Sequence, residues 1–239
     1  MKASISLLKI LLLLLSTATL DSKSPKDFLE TAQLVLQSLT LKQKIGQLFI
    51  IATASDPSGQ RDLIMESKFP YNVEQSYIEH LIQDYQVGGI IWLLYSTPEK
   101  QITLTKHYQS FSKIPLFIAQ DLEWGLRMRL RDTVLFPHNM TLGALAQIDE
   151  ELLYQMGLEI ARQCRLLGVH INFMPVVDVN NEPKNPVIND RSFGSLPENV
   201  ARKAILLMKG LQDSGMVLVT VTSKPTFTQK IKILLHSTN

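Results

Sequence analysis

Two stretches of this chain place charge where an apolar strand has just ended. In the first, "IAQDLEWGLRMRL" (residues 118–130), the run Pro115–Ala119 gives way to Asp121, Glu123, Trp124, Arg127 and Arg129. Asp121 and Glu123 lie two apart, so an extended segment turns both to one side. A carboxylate can hold two sugar hydroxyls, a guanidinium offers a rigid fork of donors, and an indole can cover the apolar face of a sugar ring. The same residues also fit a structural account, with Asp121 and Arg129 as an ion pair and Trp124 in the core. Spacing leaves both open.

The second stretch, "PVVDVNNEPKNPVINDRSFGS" (residues 175–195), carries Asp178, Asp190 and Arg191. It is rich in turn formers, which suits a solvated loop. A loop of this length in a compact domain is also a common place for a ligand site. His170 falls inside an apolar run and reads as a core histidine, and His138, in "FPHNM", reads as a loop residue. No His/Glu spacing fits a metal site and no G-x-S-x-G elbow occurs, so neither a metal nor another cofactor is expected. The single cysteine, Cys164, excludes an intrachain disulfide and reads as a small buried hydrophobe.

Alternating elements must position these loops. Helical spacing predicts Pro25–Leu39, with Phe28, Leu29, Ala32, Leu36 and Leu39 on one stripe, and Thr40 with Gln43 forms a capping pair. Ile45–Ala52 reads as a buried strand, followed by a polar stretch over 53–72. Val73–Gln86 reads as a helix with Tyr77, Ile78, Leu81, Ile82 and Tyr85 inward. Val87–Leu94 reads as a strand, Pro98–Phe111 as a helix and Pro115–Ala119 as a strand. Ile148–Leu167 reads as a helix with Leu152, Leu153, Met156, Ile160, Cys164 and Leu167 inward. Val169–Met174 reads as a strand, a Ser195/Glu198 capping box opens a helix to Asp213, and Met216–Val221 reads as a strand. Apolar strands alternating with amphipathic helices imply βαβ units and a parallel sheet. Both charged stretches then follow strand C-terminal ends. A (β/α)8 barrel and an open doubly wound sheet both bind ligands there.

Composition narrows the classes. The chain has 239 residues, 45% hydrophobic and 19% charged, enough apolar content for a core. A net charge of +2 with no basic block argues against nucleic acid as a partner. Residues 1–18 resemble a secretory signal peptide: Lys2 and Lys9, the apolar run Ile10–Leu15, and a small-x-small site ending at Ala18. The run is too short for a stable membrane span. Export to the periplasm or medium is the expectation.

Taken in order, "LTLKQKIGQLF", "VGGIIWL", "IPLFIAQDLEWGLRMRL", "FPHNMTLGAL", "HINFMPVVDVNNEPKNPVINDRSFGS" and "VARKAILLMKGLQDSG" resemble the N-terminal domain of glycoside hydrolase family 3, and most of all its β-N-acetylhexosaminidase branch. The resemblance covers roughly residues 38–219. It implies an α/β fold, a TIM-like (β/α)8 barrel, and a retaining mechanism on an amino-sugar glycan with terminal β-linked N-acetylglucosamine. It implies that Asp121 binds sugar hydroxyls where cleavage occurs, that Arg129 and Arg191 bind the sugar and its flanking groups, and that Asp178 supports them. Arg127 departs from the family, which usually has a small residue there.

The resemblance stops after "MVLV". The family continues with "KHFPGHGDT" and a D-x-H segment, whereas residues 220–239 read "TVTSKPTFTQKIKILLHSTN". Neither the histidine–aspartate acid/base pair nor the nucleophilic aspartate has a counterpart, and nothing around His236 matches that role. The expected organisation is a signal peptide (1–18), a leader and N-terminal helix (19–39), about the first five βα units of a barrel that takes about 250 residues (40–221), and an unmatched tail (222–239) that points to a frameshift or premature stop. The expected consequence is a chain with no catalytic residue and no activity. The alternatives are a non-catalytic sugar-binding remnant, a β-glucosidase-type member or a misfolded remnant.

Overall fold

The computed structural model describes residues 25–54, 74–93, 95–182 and 184–218. The signal peptide, most of the 53–72 polar stretch, residues 219–221 of the fifth strand and the 222–239 tail lie outside them. The chain divides into two compact units, Met1–Lys44 and Ile45–Asn239.

In the first unit, α1 spans Pro25–Ser38. The Thr40–Gln43 capping box forms as expected: the Thr40 N–H donates to Gln43 Oε1 at 3.0 Å, and the Gln43 N–H donates to Thr40 Oγ1 at 3.3 Å. It opens α2, Leu41–Gly46, which runs to the unit boundary and just past it.

That helix corrects the expected Ile45–Ala52 strand. The capping box commits the backbone to a helix, and turns from Leu48 N–H to Ile45 O and Phe49 N–H to Gly46 O prolong it. Strand β1 begins only at Ile50 and ends at Thr53. Ile45, Leu48, Phe49 and Ile50 are exposed, so the apolar run is not a buried strand.

The remaining elements of the second unit are α3 (Gln75–Tyr85), β2 (Gly89–Trp92), α4 (Pro98–Phe111), β3 (Phe117–Gln120), α5 (Asn139–Gly143), α6 (Glu151–Leu166), β4 (Ile171–Asn172), α7 (Pro197–Asp213) and β5 (Val217–Leu218). The five strands form one parallel sheet in the order β1-β2-β3-β4-β5. Each strand pairs with its successor and the order never reverses. A doubly wound sheet requires a reversal at its switch point. The succession is that of a (β/α) barrel, and five of its strands are described.

Register assigns the two faces. Ile51, Ile90 and Ile118 align in one row and pack into the core with helix residues such as Ile78, Ile82 and Leu153. Ala52, Ile91, Ala119, Ile171 and Val217 align in the row on the other face. At the end of β3, Gln120 meets Gln101 of α4 in a reciprocal amide pair, 3.0 Å each way, which satisfies two buried side chains. Trp92 stacks on Tyr108 of α4 with ring centroids 5.9 Å apart. Cys164 is fully buried, as its helical position implied.

Helices α6 and α7 pack closely at Gly210. A Cβ there would run into the Tyr154 carbonyl oxygen and lie 3.0 Å from the Leu158 nitrogen. Fully buried Lys203 of α7 donates to Leu145 O at 2.8 Å and pairs with Glu150 Oε1 at 3.3 Å, fixing the segment that precedes α6.

Four further expectations are corrected. Tyr77 and Tyr85 are exposed, and the inward stripe of α3 is Ile78, Leu81 and Ile82. Leu152 is exposed because α6 begins at Glu151 and turns Leu153, not its neighbour, inward. The Ser195/Glu198 box does not form: α7 starts with Pro197 after the N-cap residue Leu196, which has no side-chain cap. His170 precedes β4 and is exposed rather than in the core. Its Nδ1 nonetheless accepts from the Ile118 N–H at 3.0 Å, and desolvation lowers its pKa below the usual histidine value.

Candidate functional site

β3 and β4 are neighbours, with Ala119 beside Ile171 and Gln120 beside Asn172. Their C-terminal loops therefore meet. The loop after β3 is fastened at intervals of four by Leu122, Leu126 and Leu130, all buried. The Leu122 N–H donates to Asn172 Oδ1 of β4 at 3.1 Å. Further on, the Ser96 N–H donates to Arg129 O at 3.0 Å and the Arg131 N–H to Ser96 O at 2.9 Å. Gly125 supplies a left-handed φ of +83°, and a Cβ on it would lie 2.5 Å from the Phe136 ring. The turn it makes leads into the 3-10 segment Leu126–Met128 and brings Arg129 back toward Asp121.

Two bidentate ion pairs result. Arg129 Nε donates to Asp121 Oδ1 at 2.7 Å and its Nη2 to Asp121 Oδ2. Side-chain exposures are 25% for Asp121 and 11% for Arg129, so the pair keeps a solvent-facing edge. Arg191 Nε donates to Glu123 Oε2 at 2.9 Å and its Nη2 to Glu123 Oε1 at 2.6 Å. Glu123 is 3% exposed. Its hydrogen bonds raise the Arg191 pKa above the usual guanidinium value, and the charges of Glu123, Asp178 and Asp121 add to that. Three carboxylates therefore converge on one guanidinium.

The second loop is tied back to the first. Asn139 Nδ2 donates to Arg191 O at 2.7 Å, and Arg191 Nη1 donates to Val187 O at 3.0 Å. Ser192 Oγ donates to the backbone oxygen of buried Asp178 at 2.6 Å. His138 Nδ1 lies 2.7 Å from Asp190 Oδ2, and its ring stacks on Trp124 with centroids 4.4 Å apart and planes at 19°. Trp124 is half-buried, between the two readings that spacing had left open.

Asp121, Arg129, Arg191 and Asp178 thus share one region at the strand ends. Arg127 is exposed, and among the described residues its ion-pair partner is Asp132, at 4.0 Å. Sequence reasoning assigned no partner to Arg191 and no contact to His138. Glu123 and Asp190 supply them, and both lie far away in sequence. The available signal was topological: adjacent strands make consecutive βα loops neighbours. Among the described residues no group of three or more His, Cys, Asp or Glu could hold a metal, and no helix is long and apolar enough to cross a membrane.

Comparison with known proteins agrees with this architecture. A beta-hexosaminidase A of Pseudoalteromonas piscicida is 30% identical over 195 residues, which is 75% of this chain and 32% of the relative. A beta-hexosaminidase of Nitrosomonas eutropha is 36% identical over 140 residues, 56% of this chain and 40% of the relative. The solved structure of a glycoside hydrolase family 3 beta-N-acetylglucosaminidase from Paenibacillus sp. superposes with a TM-score of 0.62 at 34% identity, covering 77% of this chain and 33% of that one. The chain therefore spans 32–40% of the length of these relatives. The model of the glycosyl hydrolase family 3 N terminal domain matches residues 40–223, and the chain belongs to that family.

Proposed function

We propose that the described loops form one wall of a site for terminal β-linked N-acetylglucosamine, of the kind present in peptidoglycan and chitin-type glycans. The observation that carries this reading is the Asp121–Arg129 pair at the end of β3. A carboxylate already oriented by a guanidinium keeps lone pairs for sugar hydroxyls at its exposed edge, and strand ends are where barrels build sites. Asp121 holds the hydroxyls of the sugar where cleavage occurs, Arg129 and Arg191 its flanking groups, and Asp178 supports Arg191 electrostatically. The amino-sugar assignment draws on relatives named beta-hexosaminidase and beta-N-acetylglucosaminidase.

The whole-protein reaction in this reading is retaining hydrolysis through a covalent glycosyl intermediate. No segment of the 239 residues matches the family's acid/base or nucleophile motifs. The chain alone therefore binds sugar without turning it over, and release of chromophore from an aryl β-N-acetylglucosaminide would overturn that part. Calorimetry with N-acetylglucosamine should show binding that Asp121→Ala removes. A folded sample giving no heat would overturn the site. A β-glucosidase-type preference is the second reading, favoured by the 27% identical Cellulomonas fimi relative named beta-N-acetylglucosaminidase/beta-glucosidase. Competition between glucose and N-acetylglucosamine separates the two. The same reading includes export, with processing after Ala18, so N-terminal sequencing of the mature chain should begin at Thr19.

A further inference from the structure

Beside the two ion pairs runs a closed circuit of contacts. Glu123 grips Arg191, and Arg191 is the chain neighbour of Asp190. Asp190 binds His138, His138 stacks on Trp124, and Trp124 is the chain neighbour of Glu123. Each link fixes the next. An ionised carboxylate only accepts, so His138 Nδ1 carries the hydrogen that it donates to Asp190. The imidazole is then held at one edge by Asp190 and on one face by the indole. Its Nε2 has no hydrogen bond among the described residues, and the side chain is 38% exposed.

A flat, part-exposed ring stack with a polar atom at its rim is the surface that a pyranose takes: apolar C–H face against the rings, hydroxyls toward the edge. Its place fits a second sugar. Trp124 lies three residues beyond Asp121 on the same fastened loop, and Asp190 is bonded directly to Arg191, so the stack flanks the region assigned to the terminal sugar. Resting on that assignment, we infer that Trp124 and His138, oriented by Asp190, form the platform for the next sugar unit of a β-linked amino-sugar chain, with His138 Nε2 facing one of its hydroxyls. Trp124 and His138 then favour oligosaccharides over single sugars.

The test compares N,N′-diacetylchitobiose with N-acetylglucosamine on the full chain, by calorimetry and tryptophan emission. The chain has two tryptophans, and Trp92 is fully buried, so a ligand-linked emission change reports Trp124. Wild type should bind the disaccharide about three- to tenfold tighter than the monosaccharide, the range of one stacking contact. Only the disaccharide should shift the emission. Trp124→Ala and His138→Ala should each bring the affinity ratio toward one. Equal affinities in wild type, or a ratio unmoved in both variants, overturn the platform while leaving the terminal-sugar site standing. The emission readout needs no variant, so it decides even if Trp124→Ala fails to fold. Binding of neither sugar by folded wild type overturns the underlying site and the platform with it.

Discussion

Arg191 closes on Glu123 through two parallel hydrogen bonds although the residues lie 68 positions apart. The carboxylate is buried and the guanidinium is half-buried, so the two charges compensate each other where water reaches only one of them. Removing one partner of such a pair leaves a charge in a poor solvent, whereas removing both removes the problem. Arg191→Ala should therefore cost on the order of 3 kcal/mol in urea unfolding. The double variant Glu123→Leu/Arg191→Met should recover most of it while losing sugar binding. A loss for Arg191→Ala below about 1 kcal/mol would mean that the pair behaves as a surface pair.

Gly210 faces backbone, which cannot yield as a flexible side-chain tip can. Gly210→Ala should separate α6 from α7 at a cost of about 1–3 kcal/mol. In a chain of this size each kcal/mol lowers the Tm by roughly 2–4 °C. A melt unchanged within a degree would show that the helices slide apart freely.

His170 has a lowered pKa because burial of part of its ring disfavours the charged form. The unfolded chain keeps the ordinary value near 6.5, so between the two values the unfolded state binds more protons. Stability from this residue is fully present above about 6.5 and falls as the pH drops through the folded value. Urea midpoints at successive pH values should rise toward neutrality, and His170→Gln should flatten that part of the slope. An unchanged slope in the variant would assign the linkage to other groups.

The Cys164 thiol is pushed up to about 12 by burial. Thiolate, not thiol, is the nucleophile, so the folded chain should react negligibly with a disulfide reagent at pH 8. One equivalent should react in denaturant, matching the single cysteine. Rapid labelling of the folded chain would show that α6 opens readily.

The sequence made the charged loops and the βα order visible because both are local. Strand ends, turn formers and helical spacing lie within a few residues of one another. It left open whether the sheet was barrel-like, since strand order is a long-range property that no window contains. It misread Ile45–Ala52, where apolar character outweighed the capping box already recognised at Thr40 and Gln43. It misread His170 because that side chain turns outward just before β4, although its neighbours Val169 and Ile171 are buried. The partners of Arg191 and His138 were illegible for the same reason as the strand order: 68 and 52 residues separate them from Glu123 and Asp190.

The leucine ladder of the loop after β3 has a consequence for how this chain can vary in length. Leu122, Leu126 and Leu130 occupy core positions, and Asp121 and Arg129, eight positions apart, meet only because the path between them is fixed. One residue added inside that interval would shift every following leucine against its core position and part the ion pair. Past Arg131, itself tied to Ser96, the constraint loosens. Asp132, Val134 and Leu135 are exposed, so insertions there lengthen a surface bend without moving the wall. Length variation around this wall is therefore expected after the ladder, not within it.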